Sequence, residues 1–177
     1  MKRNKINNKV AIIMGSQSDY RVMKDCEKIL RTLKVKFETK IVSAHRTPKR
    51  LYEFASSVDK KGFAVVVSGA GGAAHLSGMV ASIASSTTII GVPIKSTKSG
   101  LDGLDACLST LMMPPGVPVG CVAVDGAFNA GLLAASIIGI VDPKVKSNLE
   151  KWKRLQTNSV KKKTKINVEG YNAWNFI

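Results

Sequence analysis

Two histidines, an arginine and an aspartate are the side chains of this sequence best suited to chemistry on a small anionic molecule. His45 and Arg46 stand side by side in VSAHRTP, residues 42–48, directly after an apolar run. An imidazole with a pKa of about 6.5 can both donate and accept a proton near neutral pH. The guanidinium of Arg46 can bind a phosphate or a carboxylate through two hydrogen bonds. The alternative is an ordinary loop histidine beside a surface cation.

A second polar stretch, GSQSD at residues 15–19, follows the first apolar run. Its glycine permits close approach of a ligand, and its hydroxyls and N–H groups at a helix start suit a phosphate or another anion. Asp19 is an acceptor that could instead hold the hydroxyls of a ribose. The structural alternative is that Ser18 or Asp19 caps the first helix.

A glycine-rich stretch, GAGGAAHLSG at residues 69–78, follows the third apolar run. It does not match the GxGxxG fingerprint in its place after the first strand, and no GK[ST] follows to make a P-loop. A glycine-rich turn into a helix lets an anionic or planar ligand approach closely, and His75 would face the same pocket. Alternatively, His75 makes only a structural hydrogen bond in the first turn of that helix.

Other chemistries find little support in the residue types and their spacing. No set of His, Cys, Asp and Glu has metal-ligand spacing, and no serine lies in a GxSxG elbow. The three cysteines are odd in number and widely spaced, which indicates neither a disulfide framework nor a CxxC metal site. We expect Cys26, Cys107 and Cys121 to be buried, reduced thiols.

Strands and helices alternate along the chain. Apolar, β-branched runs predict five strands, at Val10–Met14, Phe37–Val42, Phe63–Val67, Thr87–Val92 and Val117–Val124. Helical spacing predicts helices at Tyr20–Leu33, Pro48–Lys60, Ala73–Ser85, Leu101–Met112 and Phe128–Ile140, with a last one from Pro143 to about Gln156. The predicted fold class is α/β, a three-layer αβα sandwich with a flavodoxin-like parallel five-stranded sheet in the order 2-1-3-4-5.

This strand order brings the three polar stretches together. In a doubly wound sheet, ligands bind outside the carboxyl ends of the strands, beside the switch between the first and third. The GSQSD, SAHR and glycine-rich stretches follow the first, second and third strands, respectively. We therefore expect both histidines, Arg46 and Asp19 to share one crevice.

Length and charge indicate one soluble domain with basic ends. The 177 residues divide into a basic N-terminal arm (residues 1–8), a catalytic domain (9–156) and a basic tail (157–177). Residues 1–9 carry +4 and residues 150–177 carry +5 of the net charge of +15. The run Lys161–Lys163 has no interleaved aromatic residues, so nucleic acid binding through the tails is a weak alternative.

Hydropathy predicts a cytoplasmic protein that assembles with copies of itself. No apolar run approaches the 18 or so residues of a membrane helix, and the N-terminus is polar rather than signal-like. The helix containing AGLLAASIIGI, residues 130–140, is apolar nearly all round, more than one face of a small domain needs to bury. Contacts between copies in an oligomer would cover the remaining apolar surface of this helix.

Six motifs stand in order across residues 15–134: GSxSD, SAHRTP, GAGGAAHLxG, GVP, MPxGVPV and NAxLLA. Together they resemble the class I N5-carboxyaminoimidazole ribonucleotide mutases of bacterial purine biosynthesis, the catalytic-subunit family of phosphoribosylaminoimidazole carboxylase. The resemblance implies conversion of N5-carboxyaminoimidazole ribonucleotide to 4-carboxy-5-aminoimidazole ribonucleotide in a homo-octamer, with no metal, ATP, biotin or other cofactor. The animal-type relative uses free carbon dioxide and has a different segment where this chain reads HRTP and AGGAAHL.

The resemblance also implies a role for each motif residue. His45 is the expected catalytic acid and base. The expected substrate-binding or pocket-lining residues are Ser16, Asp19, Arg46, Ser18, Ser43, Gly71 and His75. Ser77 departs from the family pattern, which usually has proline there, and is expected to loosen the loop that carries His75. A nucleotide- or flavin-binding module without catalysis is the alternative of a different class.

Overall fold

The computed structural model describes residues 8–97 and 99–160. The strands are β1 (Lys9–Met14), β2 (Lys36–Ile41), β3 (Phe63–Gly71), β4 (Thr88–Ile94) and β5 (Gly120–Cys121). The helices are α1 (Tyr20–Thr32), α2 (Pro48–Ala55), α3 (Leu76–Ile83), α4 (Leu104–Leu111), α5 (Ala127–Gly139) and α6 (Pro143–Ser159), with a short 3₁₀ helix at Gln17–Asp19. The predicted arm and tail lie outside the described residues except for residue 8 and residues 157–160.

All five strands form one parallel sheet in the order β2-β1-β3-β4-β5. This confirms the predicted flavodoxin-like α/β fold. The register aligns the strands so that Met14 lies beside Ile41 of β2 and beside Gly69 of β3. The polar stretches that follow β1, β2 and β3 therefore leave the sheet at one edge.

Two apolar layers cover the sheet. Val10, Ile12 and Met14 face α1, α5 and α6, whereas Ala11 and Ile13 face α2, α3 and α4. Every residue from Val10 to Met14 is at most 1% exposed. Because burial of a large aliphatic side chain stabilises the fold by roughly 1.5–3 kcal/mol, the central strands are the rigid platform on which the site is built.

The element bounds differ from the predicted ones where local hydrogen bonding intervenes. Helix α2 ends at Ala55 rather than Lys60, where the backbone bonds tighten to the three-residue spacing of a 3₁₀ turn: the N–H groups of Ser57 and Val58 donate to the carbonyl oxygens of Phe54 and Ala55. Strand β3 continues to Gly71, so the first part of the glycine-rich stretch is strand and not turn.

Strand β5 is much shorter than the predicted Val117–Val124. Only Gly120 and Cys121 pair with β4. Pro118 lacks the N–H group that a ladder needs, which accounts for the late start of the strand. Helix α6, in contrast, extends three residues past the predicted end at Gln156.

The cysteines are free thiols, but only one of them is fully buried. Burial raises the pKa of Cys26 to about 12. Cys107 and Cys121 are half-buried, so the prediction that all three are buried was wrong for these two. Burial and the neighbouring Cys107 raise the pKa of Cys121 to about 11.

Candidate active site

A pocket of about 680 Å³ opens at the carboxyl ends of β1, β2, β3 and β4. Its lining includes all eight residues predicted from the sequence, namely Ser16, Ser18, Asp19, Ser43, His45, Arg46, Gly71 and His75. The predicted convergence of the three polar stretches is therefore what the fold produces. Their roles toward a substrate remain predictions.

The two histidines meet in this pocket. His45 Nε2 lies 2.9 Å from His75 Nδ1, and the rings are edge to face with centroids 5.1 Å apart. When both rings are neutral, one must donate its N–H and the other must accept it. The ring of His75 thus bonds to His45 and makes no side-chain cap for α3. A proton held by either ring has a neighbouring base within hydrogen-bond reach.

Arg46 is anchored at the junction of β1 and β2. Its Nη2 donates to the carbonyl oxygen of Gly15 at 2.8 Å, and its Nε and backbone N–H approach Ser43 Oγ at 3.5 and 3.3 Å. Ser43 is buried, so its hydroxyl is a fixed point. Arg46 is therefore held at the pocket rim and is not a freely moving surface cation. A guanidinium has five N–H donors, which leaves donors to face an anion.

The GSQSD stretch folds into the 3₁₀ helix ahead of α1. Ser16 Oγ accepts from the N–H of Ser18 at 3.4 Å and from its hydroxyl at 3.0 Å. Ser16 is thus the capping residue of this short helix. Asp19 precedes α1 but makes no side-chain cap bond, so the alternative of a cap by Ser18 or Asp19 was wrong.

Asp19 is instead partly withdrawn into the pocket wall. Burial raises its pKa above the ordinary value for an aspartate. The Ser16 backbone, the positive charges of Arg21 and Arg46, and the Ser18 hydroxyl all oppose that effect without cancelling it. A carboxylate that its own protein neighbours satisfy incompletely is suited to accept hydrogen bonds from a ligand.

Gly71 and Gly72, in the glycine-rich stretch, are required for different reasons. A Cβ at Gly71 would lie 2.8 Å from the carbonyl oxygen of Ile94, so the close pairing of β3 with β4 excludes any side chain there. Gly72 has φ of +65°, the left-handed conformation that lets the chain leave β3 and turn toward α3. His75 is placed by that turn.

The sequence reasoning missed one wall of the pocket. Lys95, Ser96 and Thr97, which follow β4, and Arg21 in the first turn of α1 also line it. The predicted fourth strand ends at Val92, whereas β4 continues to Ile94. The signal in the sequence is the polar run KST at 95–97, which follows the fourth strand as the other polar stretches follow the first three.

Two other classes of feature are not found in the described part of the chain. Within residues 8–97 and 99–160, no group of three or more His, Cys, Asp and Glu side chains is arranged to hold a metal ion. Over the same residues, no helix combines the length and apolar character needed to cross a bilayer.

Comparisons with known proteins identify the family of this chain. Residues 9–159 match the family described as AIR carboxylase. The N5-carboxyaminoimidazole ribonucleotide mutase of Thermotoga maritima is 46% identical over 167 residues, covering 94% of this chain and 96% of that protein. The mutase of Pyrococcus abyssi is 50% identical over 145 residues, or 82% of each chain.

A solved structure is also similar. The crystal structure of PurE from Treponema denticola superposes with a TM-score of 0.74 at 25% identity, over 85% of this chain and 92% of that one. The family match spans every described element, from β1 through α6. The chain belongs to the AIR carboxylase family.

Proposed function

We propose that this protein is a mutase that converts N5-carboxyaminoimidazole ribonucleotide into 4-carboxy-5-aminoimidazole ribonucleotide, a step of purine biosynthesis. The observation that carries the proposal is the His45–His75 pair, 2.9 Å apart in a pocket that also holds Arg46 and Asp19. The relatives from Thermotoga maritima and Pyrococcus abyssi carry the name of this mutase.

The first half of the reaction is a decarboxylation. The substrate is a carbamate, and protonation of its exocyclic nitrogen weakens the bond from nitrogen to the carboxyl carbon. His45 donates that proton, the N–C bond breaks, and its electron pair stays on nitrogen as carbon dioxide is released. The aminoimidazole that remains is nucleophilic at its ring carbon, as an enamine is.

The second half forms a carbon–carbon bond. The ring carbon attacks the retained carbon dioxide, and His45 takes the proton that this carbon loses. His45 thereby returns to its starting protonation state, and the atoms and electrons of the reaction balance without a cofactor. Holding both fragments in one pocket replaces a bimolecular encounter, which can lower the barrier by several kcal/mol, or about 7–11 kcal/mol at best.

The other pocket residues bind and orient the nucleotide. We assign the phosphate to the donors around Arg46, with the hydroxyls of Ser16, Ser18 and Ser43 nearby. Asp19 accepts from the ribose hydroxyls. Gly71 leaves room for close approach of the ligand to β3, and His75 orients the ring of His45 through their hydrogen bond.

Turnover by the purified full-length protein tests this proposal. N5-carboxyaminoimidazole ribonucleotide is incubated with the protein, and the ring-carboxylated product is followed against a buffer blank. We expect product at a rate far above that of the blank. A rate equal to the blank would reject the assignment.

We propose that the protein acts as a homo-octamer in the cytoplasm. Helix α4 supports assembly, because Leu104, Leu108 and Leu111 form a stripe in which each side chain is at least half exposed. Helix α5 supports it less than the sequence suggested, because much of it packs on α1, with Gly131 against Ile29. Light scattering should give eight times the mass of the 19.0 kDa chain, and cell fractionation tests the location.

A further inference from the structure

The peptide groups on both sides of Lys95 are held by side chains from distant parts of the chain. Arg21 Nη2, on α1, donates to the carbonyl oxygen of Lys95 at 2.6 Å. The N–H of Lys95 donates to Asp125 Oδ1 at 3.0 Å. The start of the segment that follows β4 is therefore fixed through its donor and its acceptor at once.

Asp125 extends the hydrogen bonding between β4 and β5, because its carboxylate accepts where the next backbone carbonyl of a strand would accept. Strand β5 ends at Cys121, although the N–H of Val122 still donates to the carbonyl oxygen of Gly91 at 3.2 Å. The N–H of Asp125 donates to Pro93 O at 2.8 Å, and its carboxylate takes the next β4 donor, Lys95 N–H. Asp125 has φ of +56°, a conformation that aspartate adopts more readily than most other residues with a side chain.

Arg21 and Asp125 also face each other. Arg21 Nη1 lies 3.6 Å from Asp125 Oδ2, and the two side chains are 52% and 36% exposed. An ion pair as exposed as this contributes little to the free energy of unfolding. Its geometric effect is more specific, because each partner holds the other in position to bond with the peptide groups of Lys95.

The segment fixed in this way forms the part of the pocket wall that follows β4. Lys95, Ser96 and Thr97 line the pocket, and Lys95 Nζ reaches Asp102 Oδ1 at 2.7 Å, which ties the segment toward the start of α4. On the other side, Gly71 of β3 packs against Ile94. A shift of the Lys95 peptide groups would thus change the shape of the substrate site directly.

We propose that Arg21 and Asp125 are positioning residues for substrate binding, which act by clamping the backbone of Lys95. This inference rests on the proposed mutase function and adds to it a pair of residues that its motifs do not include. The pair sets the pocket wall before substrate arrives, so its loss weakens binding of substrate and leaves the proton transfer by His45 unchanged.

A matched pair of variants of the full-length protein tests the clamp. Asp125→Gly keeps the left-handed backbone accessible but removes the acceptor, whereas Asp125→Asn keeps an acceptor oxygen. We expect KM for N5-carboxyaminoimidazole ribonucleotide to rise about tenfold in the glycine variant, with kcat within about twofold. The asparagine variant should stay within about threefold of wild type in KM. An unchanged KM in Asp125→Gly, or a loss confined to kcat, would overturn the proposal.

Arg21→Ala supplies a second test, which can be used even if Asp125→Gly fails to fold. Alanine is well tolerated at an exposed helix position, so this variant should fold. If Arg21 and Asp125 together hold the backbone of Lys95, the double variant should raise KM by clearly less than the product of the two single effects. Independent effects that multiply would mean that Arg21 contacts substrate by itself, and would overturn the clamp.

Hydrogen exchange separates this inference from the mutase function. In Asp125→Gly, the amide of Lys95 should exchange at least about tenfold faster than in wild type, whereas amides in the centre of β1 should not change. A wild-type protein without turnover would reject the proposed function, and the exchange rates would still test the clamp. Turnover by wild type together with unchanged exchange and KM in the variant would reject the clamp alone.

Discussion

Two aspartates at opposite ends of the same sheet have pKa values shifted in opposite directions. At the amino ends of β3 and β4, Asp59 accepts from the N–H of Ser85 and from the hydroxyls of Ser86 and Thr87, at 3.1, 3.0 and 2.6 Å. Burial tends to raise its pKa, but these hydrogen bonds outweigh burial and lower it. At the carboxyl ends, burial raises the pKa of Asp19 despite nearby donors and cations.

The difference shows at which end of the sheet the protein satisfies a buried carboxylate by its own hydrogen bonds, and at which end it does not. The acceptor capacity of Asp59 is used within the protein, so that it joins two loops and stabilises the fold. Asp19 is withdrawn from water without equivalent compensation, an arrangement that costs stability and is expected where a ligand completes the site. Asp59 at the amino end therefore contributes to stability, whereas Asp19 at the carboxyl end is left to accept from the substrate in the proposed function.

The largest effect is expected for His45→Asn. Loss of a general acid and base should lower kcat by about 10²–10⁴-fold, and substrate binding should remain. Because His45 is exposed at the pocket, Tm should stay close to that of wild type. Assays at saturating substrate, with calorimetric titration for binding, make the comparison. Normal turnover by this variant would remove His45 from the mechanism.

Gly71→Ala should damage the carboxyl end sterically. The new Cβ would meet the backbone oxygen of Ile94 at 2.8 Å, and the shift needed to relieve the contact should cost about 1–3 kcal/mol in the free energy of unfolding. Gly100→Ala is the matched control, because nothing lies within 4 Å of its added Cβ. Urea denaturation measures both. Equal stability of the two variants would show that β3 and β4 can separate freely.

Asp59→Ala should lower the free energy of unfolding by about 1 kcal/mol at neutral pH and leave kcat unchanged. Because the pKa of Asp59 is lowered by folding, its contribution is present above the unfolded-state value of 3.8 and is lost as the pH falls through the folded value. Denaturation of both proteins from pH 7 to pH 2 tests this. A difference in stability that grows toward low pH would contradict the assignment.

Asp19→Asn should have the smallest effect on stability and the opposite sign. Folding raises the pKa of Asp19, so its charged form disfavours the native state, and removal of the charge should raise Tm slightly at pH 7. The gain should vanish as the pH falls below the unfolded-state value of 3.8, while KM rises because an acceptor for substrate is altered. A variant less stable than wild type at pH 7 would mean that Asp19 is structural, like Asp59.

The fold and most of the pocket could be predicted from local patterns. Short apolar strands alternating with amphipathic helices determine a parallel sheet, and the strand order brings GSQSD, SAHR and the glycine-rich stretch together. Helix α2 ends early because its backbone bonds tighten after Ala55, and β5 is short because a proline lacks the N–H group of a strand ladder. Local patterns do not report such competition.

The long-range hydrogen bonds could not be predicted. Arg21 contacts a residue 74 positions away, and Asp125 contacts one 30 positions away. Neither lies in a motif, and their contact depends on how far β4 and β5 extend. The same holds for the distance between His45 and His75, which depends on the turn after Gly72. Sequence patterns predicted the shared pocket but not these contacts within it.

Turnover in labelled bicarbonate tests the central claim that the carboxyl group moves within one pocket. Wild-type protein is given N5-carboxyaminoimidazole ribonucleotide in excess ¹³C-bicarbonate, and the product is analysed by mass spectrometry during the first turnovers. The mutase mechanism predicts product that carries the unlabelled carboxyl group of the substrate. Entry of label at the rate of product formation would contradict it and indicate a carboxylase that uses free carbon dioxide.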